Sequence, residues 1–328
     1  MPAIYLTEAE IRSLITVTEC IPVIEEAMQH LGAGVAVNQP RRRLRSETFM
    51  LQTMAAAIAP MGVAGYKNGG SQARRPSGAV GRVGGGNSTK VFLYDTTTAA
   101  LLAVMDSGGL GQIRTGAATG VGTKWLARAN ATTVGVYGSG YQARTQLEAV
   151  CAVRAITGAT VYSRTPEHRE TFATEMTAKL GIPVVPAGEP EAVAGNDILI
   201  TITNAQQPVL QGAWLKPGVH INAAGGNSLI RGELDAEAIR RCDVITADSV
   251  EDARVESADF MRAVESGALN WEQVREFGHV AAGLMPGRTS DAQITLFKSH
   301  GLALWDVAAA GLAYRRAVER GLGTPLPF

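Results

Sequence analysis

The chain has 328 residues, enough for two domains of usual size. With 46% hydrophobic and 18% charged residues it has ample apolar material for real cores, which excludes wholesale disorder. The 30 basic and 30 acidic residues cancel to a formal net charge of zero, which argues against a general nucleic-acid binder.

Cys20, Cys151 and Cys242 lie far apart and form no CxxC, so neither a disulfide framework nor a zinc module is expected. The five histidines are scattered and there is no HExxH, so no dedicated metal site is expected. The opening MPAIYLTEAEIRSL has acids where a signal peptide needs a basic start. No stretch reaches about 18 uninterrupted apolar residues. These features predict a cytoplasmic α/β protein with neither a membrane nor a nucleic acid as partner.

Thr7 is placed to cap a first helix, with Glu8 and Glu10 in its first turn and Ile11, Leu14 and Ile15 at helical spacing. A second helix is predicted over residues 21–31, ended by Gly32 and Gly34. Residues 41–54 read as extended, which would put Arg41, Arg43 and Arg45 on one side. A strand over 63–67 leads into a long Gly/Arg/Ser segment at 69–87, whose length points to a functional or mobile loop. KVFLYD at 90–95 and residues 101–105 read as a hairpin. Residues 109–128 read as a helix striped by Leu110, Ile113, Ala117, Val121 and Trp125, with four internal glycines. Each of these costs about 1 kcal/mol against Ala, so close approach of another helix or of a ligand is expected.

From Thr132 the pattern becomes strand–helix alternation. Strands are predicted at 133–137, 160–163, 183–185, 198–203, 220–224 and 244–247, with helices at 141–150 and 166–180. That run predicts a parallel, doubly wound sheet. A last helix over 302–320 is too far from this pattern to be its core and is expected to return to the N-terminal domain. The predicted division is 1–128 with 302–328 against 129–301.

The sharpest motif is VGVYGSGYQARTQLEAV, an apolar strand, a GxGxxA turn and an amphipathic helix. In a dinucleotide site Gly138 permits the tight turn, Gly140 admits the pyrophosphate, and Ala143 lets the helix pack on the strand. Ser139, Tyr141 and Gln142 complete the loop at the helix N-terminus, which favours an anion. The bland alternative is a glycine turn before an ordinary helix. At the end of the next strand, where NAD sites place an acid, stands Ser163-Arg164-Thr165, which suits a 2′-phosphate. NADP(H) is therefore the favoured cofactor and NAD(H) the alternative. Lys67 ends a strand, and Arg114 sits in an otherwise apolar, glycine-rich helix. Each alone would read as a solvated charge. Together they suggest an acid–base lysine and a carboxylate-binding guanidinium.

Several blocks in this order and spacing resemble the ornithine cyclodeaminase/μ-crystallin superfamily: LTEAEIRSL, Gly65-Tyr66-Lys67, Ile113-Arg114-Thr115-Gly116-Ala117-Ala118, the Gly138–Ala143 loop, Asn222-Ala223-Ala224-Gly225-Gly226, RGEL and ITLFKS. The resemblance implies a Rossmann domain plus an α+β substrate and dimerisation domain, a homodimer, and a nicotinamide cofactor working on amino acids or imines. It implies that Arg114 binds the substrate carboxylate beside Lys67, assisted by one of the group Arg41, Arg43 and Arg45, with Arg41 the first candidate and Arg43 the second. It implies cofactor contacts at Thr115, Thr203 and Ala224. Cyclodeaminases carry an aspartate just after the Ala-x-Gly-Gly segment, where this chain has Asn227, an amide that takes no proton. The chain is therefore expected to be an NAD(P)H-dependent reductase of an α-imino acid, with Asn227 as a neutral hydrogen-bonding partner. Pyrroline-2-carboxylate, an open ketimine and iminosuccinate are the candidate substrates. The alternatives are a cyclodeaminase releasing ammonia and a non-catalytic NADP(H)-binding protein.

Overall fold

A computed structural model describes residues 2–72 and 89–327. All but the first four residues of the predicted loop at 69–87 lie outside the described residues. The chain divides into two compact units, Met1–Arg114 with Leu302–Phe328, and Thr115–Gly301.

The first unit opens with β1 (Ile4–Leu6), α1 (Glu8–Leu14) and α2 (Val17–Gly32). Both helices start on capping boxes, Thr7 with Glu10 and Thr16 with Glu19. The second box explains why α2 begins a turn earlier than its apolar stripe suggests. There follow β2 (Ala36–Asn38), β3 (Arg42–Arg45), β4 (Phe49–Ile58), β5 (Val63–Gln72), β6 (Thr89–Asp95) and β7 (Leu101–Asp106), then α3 (Gly108–Leu126). The extended stretch at 41–54 is thus a hairpin, with Arg43 opposite Gln52. The predicted hairpin of β6 and β7 is present and antiparallel.

The second unit contains β8 (Thr133–Tyr137), α4 (Ala143–Val153), β9 (Gly158–Tyr162), α5 (Pro166–Leu180), β10 (Val184–Pro186), β11 (Ile198–Thr201), β12 (His220–Ala223), α6 (Ala236–Arg240), β13 (Val244–Ala247), α7 (Val250–Glu256), α8 (Ala258–Glu265), β14 (Val274–Glu276), α9 (Phe277–Ala281) and β15 (Thr295–Lys298). Its sheet runs β10-β9-β8-β11-β12-β15-β13-β14. Every pairing in it is parallel. The strand order reverses at β8, whose neighbours are β9 and β11. Crevices for ligands in such sheets open at the carboxyl ends of strands at this point.

The chain closes with α10 (Ala303–Arg320) and β16 (Thr324–Pro325), both in the first unit. There the sheet order is β16-β1-β7-β6-β5-β4-β2, with β3 on β4. The stretch Ala308-Ala309-Ala310-Gly311 and Ala313 let α10 lie close to this sheet, and a Cβ on Gly311 would sit 3.3 Å from Val63. Leu302 gives α10 no side-chain cap, and Asn38 Oδ1 instead accepts the Leu304 N–H at 3.0 Å.

The division of the chain falls between Arg114 and Thr115, inside α3, rather than after residue 128. No break in composition marks it, because the helix runs on uninterrupted. The glycines of α3 meet protein. A Cβ at Gly122 would lie 2.5 Å from the Phe297 ring, and one at Gly116 would lie 2.5 Å from the Thr145 carbonyl oxygen. The second neighbour is backbone and cannot swing aside. Gly116→Ala would gain about 1 kcal/mol of helix propensity and lose roughly 2–3 kcal/mol to overpacking. A lower midpoint in chemical denaturation is expected, and a higher one would show that α4 has room.

Candidate functional site

The first unit holds a buried cluster of charge. Lys67 lies on β5 opposite Met54 of β4 and Val91 of β6. Arg114 comes from α3 and Asp306 from the first turn of α10. One oxygen, Asp306 Oδ1, accepts from both Lys67 Nζ (3.0 Å) and Arg114 Nε (2.9 Å). Asp306 is fully buried, and the Lys67 side chain is 12% exposed. Asp306 Oδ2 is buried without a partner among the described residues. The Arg114 guanidinium lies 5.6 Å from the Trp305 ring centroid. Nε–H···Oδ1 is its one side-chain hydrogen bond among the described residues. A Cβ on Gly111 would lie 3.2 Å from Lys67 Nζ, so this glycine leaves room for the ammonium.

Burial pulls Lys67 down from the usual lysine range to about 8. Asp306 opposes that shift, while Arg114 and Arg41 add to it. Burial alone would raise Asp306, but Arg114 and Lys67 outweigh it and keep the carboxyl below its ordinary range. The cluster is thus a carboxylate between two cations, one of which, Lys67, gives up its proton at lower pH than an ordinary lysine. Arg41 precedes β3 and reaches Met54 Sδ with Nε at 3.4 Å. Arg41 and Arg43 are half-buried, whereas Arg45 is exposed.

The second unit carries the glycine loop. Gly138 has φ +107, a conformation that other residues rarely adopt, and its Cβ would lie 2.5 Å from the Ile202 carbonyl oxygen. A Cβ on Gly140 would meet nothing within 4 Å, so its backbone faces open space. Ala143 is fully buried at the start of α4. The Gln142 N-cap makes no capping bond with its side chain, and its Oε1 is buried without a partner. An open glycine backbone before an uncapped helix start fits a pyrophosphate. Tyr141 is exposed, and the Thr115 carbonyl accepts from Gln146 Nε2 at 3.3 Å. Ser139 Oγ donates to Ser163 Oγ at 2.9 Å, joining the loop to the end of β9. Arg164 and Thr165 are exposed, and Arg164 has no side-chain partner among the described residues. Arg169, which belongs to no motif in the sequence, donates to the Ser163 carbonyl at 3.0 Å and lies 5.7 Å from the Tyr162 ring centroid.

The loops after β11 and β12 are tied by Glu233. Its carboxylate accepts from Thr203 N (2.6 Å), Thr203 Oγ1 (2.8 Å), Thr201 Oγ1 (2.9 Å) and Gly225 N (2.8 Å). Asp259 in turn accepts from the Glu233 and Leu234 N–H groups and from Lys298 Nζ at 2.7 Å. Burial raises Glu233 above its ordinary range, Lys298 opposes the rise and Asp259 adds to it. Thr203 is thus held by its backbone and hydroxyl alike, and Ala224 donates to the Thr201 carbonyl at 2.8 Å. Asn227 follows, half-buried, in the same loop. Glu233 is committed to this network, and Asp235 caps α6 through Ala238 N and also accepts from Gly212 N. Among the described residues, no group of three His, Cys, Asp or Glu side chains is placed to hold a metal. No described helix is long and apolar enough to cross a membrane.

The family model "Ornithine cyclodeaminase/mu-crystallin family" matches residues 2–321. The chain belongs to this family. It is 34% identical to an alanine dehydrogenase of Archaeoglobus fulgidus over 330 residues, covering 100% of this chain and 99% of that protein. It is 41% identical to a Delta(1)-pyrroline-2-carboxylate reductase of Bacillus cereus over 240 residues, 73% of this chain and 74% of the relative. Among solved structures, Thermococcus litoralis Delta(1)-pyrroline-2-carboxylate reductase in complex with NADH and L-proline superposes with a TM-score of 0.89. That protein is 35% identical, and the match covers 98% of this chain and 100% of the other.

Lys67 and Arg114 are thus brought together in one unit, and Ser139, Ser163 and the glycine loop in the other. Asp306 and Glu233 were not found by sequence reasoning as functional residues. The RGEL block contained Glu233, but nothing in the sequence told its role. Glu233→Ala would strand the Thr203 and Gly225 N–H groups and leave the Lys298–Asp259 pair without its neighbour. Breaking a buried charged network of this kind costs about 3–5 kcal/mol. Denaturant unfolding should show that loss in its midpoint, and a change under about 1 kcal/mol would mean the loops hold without Glu233.

Proposed function

We propose that the chain is an NAD(P)H-dependent reductase of a C=N bond next to a carboxylate, and in reverse an L-amino-acid dehydrogenase. The observation that carries this reading is the buried Lys67–Asp306–Arg114 cluster, where a guanidinium with free donors stands beside a lysine poised near neutral pH. The relatives support it, since those cited bear the names of an alanine dehydrogenase and of pyrroline-2-carboxylate reductases.

The nicotinamide, held with its pyrophosphate at Gly138–Ala143, would supply a hydride to the imine carbon. The electron pair of the C=N π bond then goes to nitrogen, which takes a proton. Arg114 holds the substrate carboxylate and fixes the approach, an orientation effect. Lys67, largely protonated at neutral pH yet with a proton more easily released than an ordinary lysine's, supplies that proton or stabilises it on nitrogen. Arg41, which adds to the positive field at Lys67, assists with the carboxylate, and Arg43 extends the basic face. Asn227 hydrogen-bonds without changing charge. Glu233 is held in its loop network, Asp235 caps α6 through Oδ1, and the neutral Asn227 brings no charge to a substrate's distal ammonium, which disfavours ammonia release from ornithine. A cyclic imine of the pyrroline-2-carboxylate kind is the first candidate substrate and the open imine of a small keto acid the second. The exposed Arg164, flanked by Ser163 and Thr165, supports NADP(H) over NAD(H) through a 2′-phosphate. A homodimer is the expected assembly.

An absorbance assay of the reduced nicotinamide tests this directly. The enzyme should oxidise NADPH or NADH when given pyrroline-2-carboxylate, and should release no ammonia from L-ornithine. Proline and ammonia formed from ornithine at about 1 s⁻¹ or faster would make it a cyclodeaminase instead. Arg114→Lys keeps the charge and loses the planar fork. Its kcat/KM should fall at least ~10²-fold, roughly 2.7 kcal/mol of transition-state binding, with cofactor affinity little changed. Activity within a few-fold of wild type would remove Arg114 as the anchor.

A further inference from the structure

We infer that Asp306 is a positioning residue for the reaction: through one oxygen it aims Lys67 and fixes which edge of Arg114 receives the substrate carboxylate. The inference rests on the reductase reading for its consequence and on the first unit alone for its geometry.

A guanidinium binds a carboxylate through either of two edges, Nε with one Nη, or the two Nη atoms together. In this chain Asp306 Oδ1 takes Arg114 Nε at 2.9 Å, so the first edge is occupied. The two Nη atoms, with no partner among the described residues, form the edge that remains. An incoming carboxylate therefore docks end-on. The same oxygen takes Lys67 Nζ at 3.0 Å and leaves the ammonium two further donors. Arg114 and Lys67 thus share one fulcrum, and moving it displaces both. Asp306 itself is buried to 0% exposure, too deep to be the group that meets substrate.

The charges around Lys67 set its titration. Asp306 faces it from α10, Arg114 from α3 and Arg41 from the segment before β3, while Met54 and Val91 on the neighbouring strands are apolar. Asp306 is the one anion in this set. Removing its charge leaves Lys67 against burial and two arginines, and its proton leaves at lower pH.

The test compares wild type with Asp306→Asn and Asp306→Glu in the full-length protein. Three quantities are read: kcat/KM for reduction of pyrroline-2-carboxylate across pH, the titration of Lys67 Nζ by ¹⁵N NMR without substrate, and NADH affinity. In wild type Lys67 should titrate near 8, with the alkaline fall of kcat/KM following it. In Asp306→Asn both should move to lower pH, and kcat/KM at its optimum should drop about 10²-fold, the scale of a misplaced reacting group. NADH affinity should stay within about threefold, well under the 1.4 kcal/mol of a tenfold change. Asp306→Glu keeps the charge, so its alkaline limb should stay near wild type while kcat/KM falls. An Asn variant with an unmoved Lys67 titration, or a Glu variant as active as wild type, overturns the inference. If Asp306→Asn does not fold, the Glu variant decides: a lower kcat/KM with the alkaline limb near wild type supports the inference, and wild-type activity or a displaced limb overturns it. If the wild-type protein reduces no imino acid, the reductase reading fails, while the Lys67 titration still tests Asp306.

Discussion

The first unit is organised around a buried carboxylate that survives only between two cations. A lone ionised aspartate at 0% exposure would cost several kcal/mol or give up its charge. Lys67 and Arg114 make it tolerable, and it makes them tolerable in return. This mutual requirement reaches into the rest of the unit. Asp306 sits on the helix that closes the chain, so α10 must come back to the sheet of β4, β5 and β6. Small residues bring it close, and Asn38 ties down its first turn. The outcome is a guanidinium whose free edge is set by its own internal partner and a lysine whose proton is exchangeable near neutral pH.

The second unit solves a related problem with a different anion. Glu233 gathers the loops after β11 and β12 onto one carboxylate, and Asp259 with Lys298 backs it. The glycine loop after β8 stands at the reversal of strand order. There Gly138 makes a turn that other residues resist, and Gly140 leaves its backbone open. Family membership and each station taken by itself are in keeping with the proposed nicotinamide-dependent oxidoreductase.

Much of this was legible in the sequence because local rules governed it. β8, β13 and α5 lie where period, turn residues and Pro166 at the first helical position put them. The GxGxxA loop could be read because each glycine answers one backbone demand. Other features were hidden because they depend on long-range partners. β15 is a short apolar run between loops, and only its insertion between β12 and β13 makes it a strand. The glycines of α3 left open a helix or a ligand as the close neighbour, and the Thr145 backbone and Phe297 are what they meet. Arg45 shares the alternation of Arg41 and Arg43 but is exposed, since register alone does not decide burial. Asp306, in an alanine-rich helix, matches no motif. Its meaning depends on Lys67 and Arg114, which lie 239 and 192 residues away along the chain.

The proposed reaction requires hydride to reach an imine carbon held by its carboxylate. The most direct measurement uses reduced nicotinamide deuterated at the transferring position, with pyrroline-2-carboxylate, and mass spectrometry of the product. Proline carrying a single deuterium at Cα is expected, formed one for one with oxidised cofactor and without ammonia. Proline free of deuterium, or product formed without net consumption of the reduced cofactor, would contradict it.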